Sequence, residues 1–216
     1  MSIVKRYVIF IAAIIIQSCG IALVVRSLLG TSPISSLPYV MSLIWPYTFG
    51  QTTFAVNMLM FLGQILVLRR DFERVQLLQV PMTLIFSYSI DVFMALTGWV
   101  ESDYYVLRML VLLIGASFVS LGVALQGIAN VLMLAGEGLV YAISRHYHLP
   151  FRNVKTTNDV SLVVIAAILS WYALGTIEGI REGTLISALI TGTIAKFFLR
   201  HLSEVDANGR MVLRVH

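Results

Sequence analysis

Long apolar runs alternate with short polar interruptions along this chain, and the length of each run limits what it can do. A helix rises about 1.5 Å per residue, so crossing a hydrocarbon layer about 30 Å thick takes about 20 residues. Six runs approach that length: residues 7–25, 52–68, 75–97, 105–126, 159–174 and 184–199. The second and fifth are short. Two further apolar stretches, 30–42 and 135–144, are interrupted by Gly, Ser or Pro and predict short helices, reaching at most to about 46 and 147. The pattern therefore predicts an all-α, polytopic membrane helix bundle with about six transmembrane helices and two short broken or re-entrant helices.

The basic residues test whether the two broken segments cross. Lys and Arg favour the cytoplasmic ends of spans. If neither segment crosses and Lys5/Arg6 are cytoplasmic, 12 of the 15 Lys+Arg fall inside, leaving Arg26, Arg108 and Arg181 outside. If both cross, 10 fall inside and 5 outside. The first arrangement is favoured, with both termini cytoplasmic. It places Glu101 and Asp103 outside, Arg69, Arg70 and Arg74 inside, and residues 201–216 as a short cytoplasmic polar tail after a single transmembrane domain, 1–200.

Bulk composition agrees. The chain is 58% apolar and 12% charged, against about a quarter charged for a soluble domain. The mean hydropathy is +0.88. Lipid must act as its solvent, and the lipid bilayer is its first partner. The net charge of +4 is explained by orientation and not by nucleic acid. Cys19 is the lone cysteine, which excludes an internal disulfide. The N-terminal run is long enough to span and lacks a small-x-small cleavage site, so it reads as a retained first helix.

Sliding the chain by 102 residues aligns it with itself without gaps. Ser18/Ser120, Gly20/Gly122, Ala22/Ala124, Leu23/Leu125, Leu37/Leu139, Tyr39/Tyr141, Ser42/Ser144 and Phe49/Phe151 are identical, and Asn57 falls opposite Asp159. The order of elements agrees as well. Halves 7–98 and 105–200, each with three spans, would insert with opposite orientation, the inverted-repeat plan of many secondary transporters.

The broken segments carry candidate chemistry. Gly30-Thr31-Ser32-Pro33 and Gly136-Glu137-Gly138 each open a short helix. A helix start carries free N–H groups and about half a positive charge. At membrane depth such a start is tolerated where it lines a cavity or is buried in protein. Such a start is a site for an anion, a carboxylate or a polar substrate, so Thr31 and Ser32 are candidate contacts; an interfacial helix or a short ordinary span is the plainer alternative. Asp91 lies inside the third span, where a carboxylate is expensive and is a functional candidate by default. Its plainer reading is a structural partner to a Ser or Thr on a neighbouring helix. Glu137, between two glycines, is the next candidate. Lys155 and Asp159 stand four apart and could pair on one helix, and Asn158 or Asp159 could be an N-cap. Asn57 and Gln64 share a face at i,i+7 and could line a polar path. Asn130 is a further candidate, and the remaining span amides, Gln17, Gln79 and Gln126, read as interhelical hydrogen-bonding groups.

Absent motifs narrow the class. All four histidines lie in loops or the tail, so no span offers a His-based catalytic pair or metal site. No Walker loop or dinucleotide fingerprint is present, so no cofactor and no enzyme activity is expected.

Several motifs together resemble a known family. They are Gly30-Thr-Ser-Pro-Ile-Ser-Ser-Leu-Pro-Tyr39, Thr48-Phe-Gly50 with Asn57, and Gln64 to Phe72. Leu78-Gln-Val-Pro81 with Asp91, Gly136-Glu-Gly138, Val154-Lys155 with Asp159, and Arg181-Glu-Gly-Thr184 complete them. Over residues 7–200 the chain resembles the YczE/YyaS/YitT family of bacterial integral membrane proteins, in particular its YczE-like branch. That resemblance implies a bacterial plasma-membrane location and supplies no substrate. The expected function is a small-solute transporter or permease of unknown substrate; the alternative is a non-transporting accessory protein supporting a membrane-associated complex. Homo-oligomerisation is left open by the sequence.

Overall fold

A computed structural model describes residues 2–100, 103–205 and 211–213. Among these residues the chain forms eight α-helices: α1 (Ile3–Arg26), α2 (Pro33–Ile44), α3 (Phe49–Leu68), α4 (Gln79–Leu96), α5 (Tyr105–Ala129), α6 (Ala135–His146), α7 (Phe151–Leu174) and α8 (Glu182–Leu202). Two 3-10 turns, Arg69–Asp71 and Arg74–Leu78, join α3 to α4. Six helices are long and apolar enough to cross a membrane, as the hydropathy pattern predicts. Helices α2 and α6 have 12 residues each, about 18 Å, and cannot reach across about 30 Å of hydrocarbon. The expected outer position of Glu101 and half of the polar tail, residues 206–210 and 214–216, lie outside the described residues. Within that tail, β1 (Ser203–Val205) pairs antiparallel with β2 (Met211–Leu213), an element the polar pattern did not predict.

Local chemistry sets the ends. Thr48 caps α3 through a capping box: the Gln51 N–H donates to Thr48 Oγ1, and the Thr48 N–H donates to Gln51 Oε1, both at 3.1 Å. This starts the span three residues before the apolar run begins. The fifth span departs most from expectation, beginning at Phe151 rather than at 159. Arg152, Asn153, Lys155, Thr156, Thr157 and Asn158 form two polar helical turns that hydropathy reads as loop. Asn158 and Asp159 are therefore inside α7 and cap nothing; Pro150 stands at the N-cap.

Helices α1 and α5 pack antiparallel along the centre. Their closest approach is reciprocal. A Cβ on Gly20 would lie 2.5 Å from the Val119 nitrogen and 2.6 Å from the Gly115 oxygen. A Cβ on Gly122 would lie 2.7 Å from the Ala13 oxygen and 3.0 Å from the Gln17 nitrogen. Gly115 and Val119 are the 102-residue counterparts of Ala13 and Gln17. The outer packing is paired in the same way: α3 on α6 answers α2 on α7, and α1 on α4 answers α5 on α8. One pairing has no equal. Helices α3 and α4 pack along their length, whereas α7 and α8 make no comparable contact among the described residues.

Large apolar side chains cover the outside, including Leu189 at 76% and Leu66 at 72% exposure. That surface is stable only in lipid. All three tryptophans, Trp45, Trp99 and Trp171, are exposed near one end of the bundle, where α3 begins and α4 and α7 finish. Aromatic side chains favour such an interfacial level.

Candidate solute site

The starts of the two short helices meet. Ser32 stands at the N-cap of α2 and Pro33 is its first residue, where the missing N–H costs nothing. The Ser32 hydroxyl does not cap the helix but bonds Ser35 Oγ at 2.8 Å. Helix α6 begins at Ala135, so Gly136 and Glu137 lie in its first turn. A Cβ on Gly136 would sit 2.8 Å from Ile34 Cδ1. The glycine thus lets α6 approach the residue that is its own 102-residue counterpart in α2.

Both starts open into one cavity of about 210 Å³. This is room for several waters or a small solute. Ser32, Ile34 and Ser35 of α2 line it, with Thr53 and Asn57 of α3, and Gly136 and Glu137 of α6. Lys155 and Asp159 of α7 and Ser187, Thr191 and Gly192 of α8 complete one wall, and Gln17 of α1 reaches in.

The polar groups differ in how far they are satisfied. Asn57 is buried; its Nδ2 donates to the Thr53 carbonyl at 2.8 Å, and its Oδ1 accepts the Gly136 N–H at 3.1 Å. The mirrored bond, from the Ile34 N–H to Asp159, is not made. Instead Asp159 Oδ2 lies 3.6 Å from Lys155 Nζ, and Asp159 Oδ1 is buried without a hydrogen-bond partner. Glu137 is half-buried and makes no hydrogen bond or ion pair among the described residues.

The cavity occupies the place where the two halves differ. In the first half, Gly50 lets α3 press against α4: a Cβ there would collide with the Ser87 carbonyl oxygen. Asp91 locks the contact, Oδ2 accepting from Thr48 Oγ1 at 2.6 Å and Oδ1 from the Gly50 N–H at 2.7 Å. In the second half, the counterparts of Gly50 and Asp91 are Arg152 and Thr193. Neither can reproduce that clamp, and α7 and α8 stand apart around the cavity.

Of the nine residues singled out in the sequence, Ser32, Asn57, Glu137, Lys155 and Asp159 line this cavity. Asp91 does not; both its carboxylate oxygens serve the start of α3, which is the structural partnership its plainer reading anticipates. Thr31 is buried, and both its N–H and its hydroxyl donate to the Gly179 carbonyl, tying the α1–α2 connection to the α7–α8 loop. Gln64 is 2% exposed and donates to Gln76 Oε1 at 3.1 Å, away from the cavity. Asn130 is exposed and ends α5 in a left-handed conformation, φ 44°. Sequence reasoning passed over Ser187 and Thr191, whose i,i+4 spacing on α8 was the available signal, and read Gln17 only as an interhelical bonding group.

Among the described residues no three His, Cys, Asp or Glu side chains cluster as metal ligands. No curated protein and no solved structure matches the chain. One family does match, over residues 4–200, and the chain belongs to it: DUF6198, a family of unknown function.

Proposed function

We propose that this chain is a multi-pass transport protein, a permease for a small polar solute in a bacterial plasma membrane, with both termini cytoplasmic and its halves inserted as an inverted repeat. The observation that carries the reading is the cavity in which two short-helix starts converge with Glu137, Lys155 and Asp159. Charged groups at membrane depth are costly and persist where they serve a solute or ion path. Half-helix starts at the interface of repeats are a recurring way to build such a site.

The reciprocal contacts of Gly20 and Gly122 support the inverted repeat. The open α7–α8 pair supports an access path to the cavity on that side of the bundle. The YczE-like motifs are compatible with this location and add no substrate.

The test is solute exchange in liposomes. Purified protein should exchange at least one of a panel of labelled small amines, amino acids, carboxylates and polyols faster than protein-free liposomes. The combined Glu137→Gln and Asp159→Asn variant should lose that exchange. Exchange of every solute at the protein-free rate, or unchanged exchange in the variant, refutes the reading.

A further inference from the structure

We infer that the cavity takes a small organic cation, its protonated amine head held between the acceptor oxygens of Glu137 and Asp159. The inference rests on the solute-site reading above and names the class of solute. Three ionisable side chains line the cavity: Glu137, Asp159 and Lys155. Lys155 is engaged with Asp159 Oδ2, so the pair leaves one carboxylate charge uncompensated. An uncompensated charge in a low-dielectric cavity is strongly unfavourable. A monocation removes it; an anion doubles the difficulty.

The acceptor atoms point the same way. Asp159 Oδ1 is buried without a hydrogen bond, its neighbour Asn158 Nδ2 is likewise unpaired, and the Glu137 carboxylate has no partner among the described residues. An alkylammonium supplies three N–H donors and no acceptor, which is what two underused carboxylates lack.

The two helix starts are poorly suited to an anion. The positive end of α6 already has Glu137 in its first turn and gives its Gly136 N–H to Asn57. Helix α2 opens with Pro33, which has no N–H, and its Ser35 N–H returns to the Ser32 carbonyl. What remains at α2 suits a neutral hydroxyl or carbonyl on the same solute.

A matched two-carbon series tests this: ethanolammonium, glycolate, glycolamide and glycine, at equal ionic strength, with sodium chloride as the inorganic control. Melting of the detergent-purified full chain is the readout. A ligand bound only by the folded state raises Tm with concentration, by a few degrees at about tenfold excess over Kd. Ethanolammonium should give that shift and the other four should not. Glu137→Gln and Asp159→Asn, which keep side-chain shape, should each abolish it, while Asp91→Asn, outside the cavity, should retain it.

An equal or larger shift from glycolate, glycolamide, glycine or sodium overturns the cation assignment. If that shift is lost in the two cavity variants, the solute-site reading survives it. An ethanolammonium shift that persists in both cavity variants, or no ethanolammonium shift at millimolar concentration, also overturns the assignment. Ethanolammonium that binds but does not exchange across liposomes refutes transport of that solute and leaves its recognition standing.

Discussion

A buried hydrogen bond links Asn57 and Gly136 across the two halves of the chain, the Gly136 N–H donating to Asn57 Oδ1 at 3.1 Å. Removing the acceptor strands a buried N–H, which costs about 1–3 kcal/mol. Asn57→Ala should therefore lower Tm by several degrees. Asn57→Gln keeps an amide and adds no charge, and should fall less. Equal losses in the two variants would show that the bond to Gly136 is not what Asn57 contributes.

Asp91 binds the start of α3 with both oxygens, one to the Thr48 hydroxyl and one to the Gly50 N–H. Hydrogen bonds to a charged group contribute about 1.5–3 kcal/mol. Asp91→Ala should destabilise the protein by about that amount. Thr48→Ala, which removes the capping hydroxyl as well as the Asp91 contact, should destabilise it comparably. Differential melting of the purified variants decides; a Tm within a degree of wild type for Asp91→Ala would remove the clamp from the account.

Gly20 and Gly122 have no room for a side chain, since an added Cβ would press on backbone atoms of the facing helix. Gly20→Ala and Gly122→Ala should each cost about 1–3 kcal/mol by forcing α1 and α5 apart. Gly192 also lines the cavity, yet an added Cβ there meets nothing within 4 Å. Gly192→Ala should leave Tm unchanged. If all three variants melt alike, the central close packing is not a source of stability.

Thr83 and Ser87 are 0% and 2% exposed, and neither hydroxyl has a hydrogen-bond partner. Many other helical hydroxyls in the chain, such as Ser18, Thr53 and Ser120, donate to a carbonyl one turn back. A buried polar group without a partner destabilises. Replacing it with an apolar group of similar shape should be neutral or favourable, so Thr83→Val and Ser87→Ala should hold or raise Tm. A clear drop in both would mean that the hydroxyls are bonded, for instance through water.

Topology has a direct reading on a Cys19→Ala background. Single cysteines at Arg70 and Glu178, both exposed, should label from opposite faces of the membrane, with Arg70 cytoplasmic. A membrane-impermeant thiol reagent applied to intact cells should reach position 178 and not position 70. Labelling of both from one face would remove the six-span arrangement.

The spans were legible because lipid demands continuous apolar length, a property of single runs. Their ends were less so. Two turns of α7 escaped because hydropathy reads Arg152 to Asn158 as loop, whereas in the fold they flank a polar cavity. Asp91 shows the other limit. Its position in an apolar run marks it as costly, but the groups that satisfy it stand 41 and 43 residues earlier. Lys155 and Asp159 were visible as an i,i+4 pair. That Glu137 shares their cavity depends on α6 packing back against α7, which no local pattern encodes.

The reciprocity of Gly20 and Gly122 reaches further than packing. On the proposed inverted repeat, each half offers its partner the same face that it receives, as two copies of one subunit do across a dyad. The connection between α4 and α5 then chiefly holds the two in equal number. Fragments ending after α4 and beginning before α5, made separately in one membrane, should find each other and assemble, the chain behaving as a heterodimer that happens to be synthesised in one piece.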